Sequence, residues 1–300
     1  MPDTRSSQDR WAAWVLDRRF GGDPEQAERA MRELRPVRDR VLEGAGVREG
    51  DVVLDVGAGD GLIAFGALPI VGESGKVIFS DVSQELLDVS RGLAEELDAL
   101  GRCEFVLARA EDLGPLADES VDVVTTRSVV IYVEAKQQAF DTFHRVLRPG
   151  GRLSVFEPIN RFAFPEPDDR YLGFDVAPIA GLVRRVKDAY DRLGGSREKT
   201  LVDFDEGNLI SFAEQAGFAK VELTYEASVE HGARAHWYDV PWDTFLRVAP
   251  NPLAPSLGEV IDDALTPEEA TRFVSHLRPL FEEKKGTSRS AVAYLRATKG

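Results

Sequence analysis

Gly57, Gly59 and Gly61 stand at alternate positions just after the apolar run 52–56, with carboxylates at Asp55 and Asp60. A β-rich run that breaks into glycines predicts a turn whose backbone can come close to a ligand and whose following helix points its N-terminus at it. A dinucleotide turn takes Gly-x-Gly-x-x-Gly or Ala, because the third small residue packs helix on strand. Leu62 occupies that third position here. Two carboxylates flanking the turn also disfavour a pyrophosphate and suit a ligand that carries positive charge. Twenty residues beyond Gly61, Asp81 closes a second β-rich run. A carboxylate there can accept hydrogen bonds from both hydroxyls of a ribose. The competing reading of Asp81, a helix N-cap, is weakened by Ser83, which is the better cap for the helix that follows. After the third strand, Arg109-Ala110-Glu111-Asp112 forms a loop placed to face an adenine.

To hold these groups at one edge, the intervening chain must form strands and helices in alternation. The pattern predicts strands over 52–56, 76–80, 103–107, 121–126 and 152–157, with helices over 62–68, 83–100 and 134–147 between them. Five strands joined by helices or crossovers predict a parallel α/β sheet with helices on both faces. Regularity lapses after Pro158. A helix over 182–193, a helix over 209–216, a strand over 219–227, a helix over 267–283 and a last buried strand over 290–297 follow, separated by proline-rich stretches. Residues 158–200 and 228–287 read as insertions on the acceptor side, since long irregular segments in a compact domain form lids or binding surfaces. Residues 1–46 read as an N-terminal helical cap on a domain spanning 47–300. Trp11, Trp14, Val15 and Leu16 give its first helix an apolar face. Asp23 with Pro24 starts the second, which Pro36 is expected to kink or divide.

Composition narrows the function classes. Thirty-seven basic residues against 52 acidic ones give a formal charge of −15, which disfavours partners built on phosphate, whether nucleic acid or an anionic membrane. Cys103 is the only cysteine, so no disulfide can form within the chain, as befits a reducing compartment. The N-terminus lacks the apolar core of a signal peptide, and no apolar run is long enough to span a bilayer. A cytoplasmic location is therefore expected. Four scattered histidines and one cysteine offer no zinc-ligand spacing, so no metal is expected.

The run 55–61, together with Asp81, Ala110-Glu111-Asp112-Leu113 and HRVLRPGGRLSVFEP at 144–158, resembles the class I S-adenosylmethionine-dependent methyltransferases in order and spacing over about residues 48–158. The resemblance implies a Rossmann-like, mostly parallel sheet of seven strands, with an antiparallel last strand inserted between the fifth and sixth. It implies S-adenosylmethionine as cofactor and S-adenosylhomocysteine as product. Position by position, Gly57, Ala58, Gly59 and Gly61 would make room for the methionyl part, and Asp55 would meet its ammonium directly or through water. Asp81 and Val82 would sit at the ribose, the Ala110 amide and the Glu111 or Asp112 carboxylate at the adenine edge, and Arg127 in the pocket wall. The family often has Asp or Asn where this chain has Arg109.

Methyl transfer from a sulfonium is an in-line displacement, so the protein mainly holds the nucleophile in line, with a base where the nucleophile needs one. Candidate acceptor-side groups are Tyr132, Glu157, Tyr171, His231, His236 and Tyr238. Trp11, Trp14, Trp237 and Trp242 could wall an aromatic acceptor pocket. Against these stand plainer roles: Glu157 as a strand-end hydrogen-bonding group, the histidines as surface residues, the tryptophans as packing. The reading favoured is methylation of a small organic acceptor in specialised metabolism. A peptide or protein acceptor, and a non-catalytic cofactor-binding subunit, are the alternatives.

Overall fold

The computed structural model describes residues 9–194, 196–232 and 240–300. Strands β1 (Val52–Val56), β2 (Lys76–Asp81), β3 (Cys103–Leu107), β4 (Val121–Arg127) and β5 (Leu147–Pro158) pair in parallel in the order β3-β2-β1-β4-β5. The sheet continues through the last strand, β9 (Thr287–Lys299), which lies antiparallel between β5 and β8 (Phe218–His231). A hairpin of β6 (Arg170–Tyr171) and β7 (Phe174–Asp175) lies apart from the sheet. The seven-stranded sheet with its inserted antiparallel strand is the Rossmann-like arrangement expected.

Helices cover both faces. On one side, α2 (Pro24–Ala45), α3 (Leu62–Val71) and α4 (Gln84–Glu96) bury Val41, Leu42, Ala64, Ala67 and Leu87 against Val53, Val77, Phe79 and Val123. On the other, α5 (Lys136–Val146) and α7 (Glu206–Gln215) bury Phe140, Phe143, Leu209 and Ala213 against Leu54, Ile78, Val124 and Val155. The local signals act as their chemistry requires. Asp23 accepts from the amides of Glu25 and Gln26, with Pro24 opening α2, and the Ser83 hydroxyl accepts from Leu86 to start α4. Contrary to expectation, Pro36 does not divide α2, which runs unbroken for 22 residues. Pro36 is exposed, so the carbonyl it leaves without an amide faces water, while Met31, Leu34, Val37 and Val41 hold the opposite face to the core.

Residues of both insertions share one further core. Tyr171, Phe174, Val183 and Val186 of α6 (Ala180–Gly194) and the hairpin pack with side chains of α8 (Trp242–Arg247), α9 (Leu257–Ala264) and α10 (Pro267–Glu282), among them Phe245, Val260, Phe273 and Phe281. The two insertions therefore pack into a single unit, the proposed lid. Helix α1 (Arg10–Leu16) is tied to it: the Trp14 indole N–H donates to the Ala249 carbonyl at 2.8 Å, the Ala249 amide to Arg18 O, and Arg247 Nε to Gly21 O. Among the described residues no helix is long and apolar enough to cross a membrane.

Candidate active site

The glycine turn joins β1 to α3 at the carboxyl end of the sheet. Gly57, Gly59 and Gly61 all have positive φ (66°, 56° and 81°), a conformation glycine adopts without a Cβ penalty. They differ in what surrounds them. A Cβ on Gly57 would lie 2.3 Å from Val129 Cγ2, and one on Gly61 would lie 2.4 Å from the Phe65 ring. Beside Gly59 the nearest atom is the turn's own Gly57 carbonyl at 3.9 Å. Gly57 and Gly61 thus make room for the protein's own packing, and only Gly59 opens toward a ligand. The Ala58 amide is taken by Ser80 O, which pins the turn to β2.

Asp81 sits at the opposite side of that opening, 6% exposed. Its Oδ2 accepts the Gly59 amide at 2.8 Å and its Oδ1 the Ser83 amide at 2.9 Å, leaving acceptor capacity to spare. Burial pushes its carboxyl upward, and the amides of Gly59, Ser83 and Val82 hold it down. Asp9, which caps α1 through the amides of Trp11 and Ala12, adds to the upward push, so the start of α1 overlies this corner. Val82, next in the chain, leaves an apolar side chain 42% exposed beside the buried carboxylate. Ala110 is buried, and Glu111 is paired with Arg109 Nε at 2.6 Å. The Glu111 carbonyl is held by Gln138 and Thr142 of α5. Arg109, the residue that departs from the family pattern, thus engages the carboxylate expected at the adenine edge.

Asp55 does not face the opening. It is 2% exposed, and its oxygens accept the Thr125 hydroxyl at 2.9 Å and the Ala64 amide at 3.2 Å. Burial outweighs these bonds and lifts its carboxyl to about 7. It joins α3 to β1 and β4, and so shapes the turn from below. Asp60 lies within the turn itself, its Oδ1 facing the Leu62 amide at 3.4 Å.

Of the acceptor-side candidates, Tyr132 lies on the loop whose Val129 packs against Gly57. The loop after β4 coils through Val130–Tyr132, and Glu157 at the end of β5 anchors it. Glu157 Oε1 accepts the amides of Val129 and Val130, both at 2.8 Å, and Oε2 that of Ile131 at 3.2 Å. The side chain is fully buried, and burial raises its carboxyl to about 7 despite those bonds. This corrects the expectation of a catalytic Glu157: its oxygens hold the loop that sets Val129 against Gly57 and leads into Tyr132. Trp11 packs edge-on to Tyr132 with ring centres 5.1 Å apart, and Trp14 does so at 6.4 Å. Burial pushes the Tyr132 phenol above its ordinary range.

The remaining candidates fall elsewhere. Tyr171 and Trp242 are 4% exposed within the lid core, against Phe273 and against Phe245 and Phe281 respectively. His231 is exposed and meets Thr287 Oγ1 at 3.2 Å. Its ladder partner Thr287 lies six residues along β9 from Ala293, the partner of Glu157, roughly 20 Å at the usual rise of a strand. It is therefore not brought to the site. His236, Trp237 and Tyr238 lie outside the described residues. A cleft of about 460 Å³ lined by Gln26, Arg29, Trp242 and Phe281 contains none of the turn residues.

Arg19 is a candidate site residue that sequence reading missed. As one of two adjacent arginines it resembles a solvated charge, yet it is half-buried, with its guanidinium 5.4 Å from the centre of the Trp14 ring and 5.2 Å from that of Phe20. Burial, reinforced by the nearby positive charge of Arg127, pushes it down to about 10, against the pull of Asp60 and Tyr132. Arg127 is half-buried at the end of β4, two residues beyond Thr125 and so on the Asp55 face.

These residues fit S-adenosylmethionine. The turn is open at Gly59, Asp81 keeps acceptor capacity for ribose hydroxyls, and Val82 offers an apolar edge beside them. Ser80 and Thr126, paired with Val56 from either side, also bury hydroxyl oxygens that have no partner among the described residues, at this end of the sheet. Fold and turn together define an S-adenosylmethionine-dependent methyltransferase. The chain belongs to the ubiE/COQ5 methyltransferase family, whose model matches residues 30–237. It is 33% identical over 184 residues to the ubiquinone/menaquinone biosynthesis C-methyltransferase UbiE of Escherichia fergusonii, a match covering 60% of this chain and 71% of that one. In fold it is similar to the Bacillus subtilis protein YcgJ, with a TM-score of 0.53, 16% identity and coverage of 87% of this chain and 97% of that one. Haemonchus contortus phosphoethanolamine N-methyltransferase 2, solved with phosphomonomethylethanolamine and S-adenosylhomocysteine, gives a TM-score of 0.52 at 16% identity, covering 96% of this chain and 56% of that one.

Proposed function

We propose that the methyl acceptor is a small organic molecule with a flat, electron-rich ring, such as the reduced form of a quinone precursor, in keeping with the ubiquinone/menaquinone biosynthesis named for the Escherichia relative, bound between the glycine turn and α1. One observation carries this reading. Trp11 and Trp14 of α1 meet Tyr132 edge-to-face, and Tyr132 sits on the loop that Glu157 fixes through three backbone amides and whose Val129 packs against Gly57. Aromatic edges that meet in a buried corner suit a planar ring. The family match supports the type of chemistry, but it leaves out residues 1–29 and 238–300, which contain α1 and helices α8 to α10 of the lid. The acceptor of this chain is therefore inferred from its own cover.

When bound, S-adenosylmethionine supplies a methyl group already activated on a sulfonium. Asp81 and the turn orient that group, while α1 and the lid exclude water and hold the acceptor. Tyr132, kept protonated by burial, donates a hydrogen bond to an acceptor oxygen and takes no proton from it. Asp55 and Glu157 are engaged inside the fold. A quinol ionised before binding needs no protein base: its ring carbon takes the methyl as the methyl–sulfur bond breaks, and the proton displaced from that carbon ends on the ring oxygen as aromaticity returns. Turnover of a panel of reduced benzoquinones and naphthoquinones, followed by mass spectrometry, tests this. At least one member should gain a single methyl group on carbon. Methylation of added peptides with no product from any quinol would contradict the reading.

A further inference from the structure

Arg19 lies in the chain just after α1 and Arg127 at the end of β4, and both lie near enough to Tyr132 to act on its phenol. Arg19 rests against Trp14, which packs on Tyr132, so the guanidinium is held by the aromatic wall itself. Among the described residues neither guanidinium has a hydrogen-bond or ion-pair partner, although arginines such as Arg145, Arg148 and Arg152 are paired with carboxylates. Half-buried cations that repel one another are costly to hold without a counter-charge. Asp60, which pulls on Arg19, forms no ion pair with it among the described residues, and the acids that feel Arg127, Asp55 and Glu157, are buried and already hydrogen-bonded within the fold. The cofactor does not neutralise the pair either. It brings one carboxylate against an ammonium and a sulfonium, so its binding adds a net positive charge. Even with one guanidinium on that carboxylate, the other remains unmatched.

We propose that the acceptor carries a planar oxyanion, either a carboxylate or an ionised enol or phenol, which Arg19 and Arg127 hold while Trp11, Trp14 and Tyr132 grip its ring. This deepens, and rests on, the small-ring acceptor reading. A guanidinium matches a planar oxyanion through paired N–H donors, which a point-charge lysine does not. The arrangement selects anionic acceptors over neutral analogues, and it stabilises an oxygen that must be ionised for the adjoining ring carbon to attack.

The test uses the full chain saturated with S-adenosylhomocysteine, with 2-naphthoate and the uncharged 2-naphthamide as matched probes in titration calorimetry. The acid should bind at least tenfold more tightly than the amide. Arg19→Gln and Arg127→Gln should each weaken the acid tenfold or more and leave the amide unchanged, and Arg19→Lys should recover only part of the loss. Arg19→Gln should also bind S-adenosylhomocysteine as the parent does, which shows that the variant is folded. Equal binding of acid and amide overturns the oxyanion and leaves the ring site standing. A matched loss of S-adenosylhomocysteine affinity in Arg19→Gln overturns the proposal by assigning Arg19 to the cofactor's carboxylate. Failure of both probes to bind removes the ring site, and the proposal with it.

Discussion

Val129 lies 2.3 Å from the place a Cβ on residue 57 would take, whereas residue 59 has open space on the same side of the turn. The two glycines should therefore respond differently to alanine. Gly57→Ala should reduce stability by roughly 2–4 kcal/mol, combining a left-handed Cβ with a clash in a packed core. Gly59→Ala should cost only about 1–2 kcal/mol of backbone strain but should weaken S-adenosylhomocysteine binding at least tenfold. Urea titration paired with calorimetry separates them, and equal effects on both properties would refute the division. Glu157 offers a second residue-scale test. Its folded carboxyl stands near 7, above the ordinary 4.5, so the native protein holds a proton that the unfolded chain has released between those values. That contribution to stability is complete below about pH 4 and is lost as pH rises through about 7. The urea midpoint of the parent should fall over that interval, and Glu157→Gln should flatten the fall. A variant with an unchanged slope would show that Glu157 does not titrate there. The positions of Asp55, Asp81 and the glycines were legible in the sequence because spacing after a strand fixes them. Their division of labour was not, since it depends on Val129, Phe65, Thr125 and Ala64, which come from elsewhere in the fold.

Helix α1 and the lid behave as one cover because backbone and indole hydrogen bonds join residues 14–21 to 247–249. Trp14→Phe keeps the ring against Tyr132 but removes the N–H that donates to Ala249. The loss should be about 1 kcal/mol. It should be local: hydrogen exchange should speed up several-fold in Arg10–Leu16, with β1, β2 and β4 unchanged. Faster exchange throughout the sheet would mean that α1 is part of the core. The core strands and helices could be read from sequence to within a residue or two at most boundaries, because each pairs a β-rich run with a cap such as Asp23 or Ser83. The lid could be read only as two irregular stretches. Its short helices α8 and α9 and the hairpin at 170–175 carry weak periodicity. What holds them is the shared core of Phe174, Phe245, Phe273 and Phe281, drawn from segments about a hundred residues apart. Arg19 was hidden for the same reason, since its burial depends on a helix whose position the lid decides.

At the scale of the molecule, strand order explains why these pieces meet. Insertion of β9 between β5 and β8 brings the chain end into the sheet, and the lid is tethered at its base where the Gly232 amide donates to Gly286 O. The cofactor side is carried by the parallel strands that the family model covers, while α1 and helices α8 to α10 lie outside it. The net charge of −15 agrees with a substrate other than nucleic acid, while the two arginines form a local exception suited to an anion. The most direct measurement is to add the purified chain with methyl-labelled S-adenosylmethionine to a lysate and separate small molecules from macromolecules. Label is expected in low-mass, organic-extractable compounds, and this transfer should be lost with Gly59→Ala. Label confined to precipitated protein, or cofactor binding with no transfer, would contradict the assignment of a small organic acceptor.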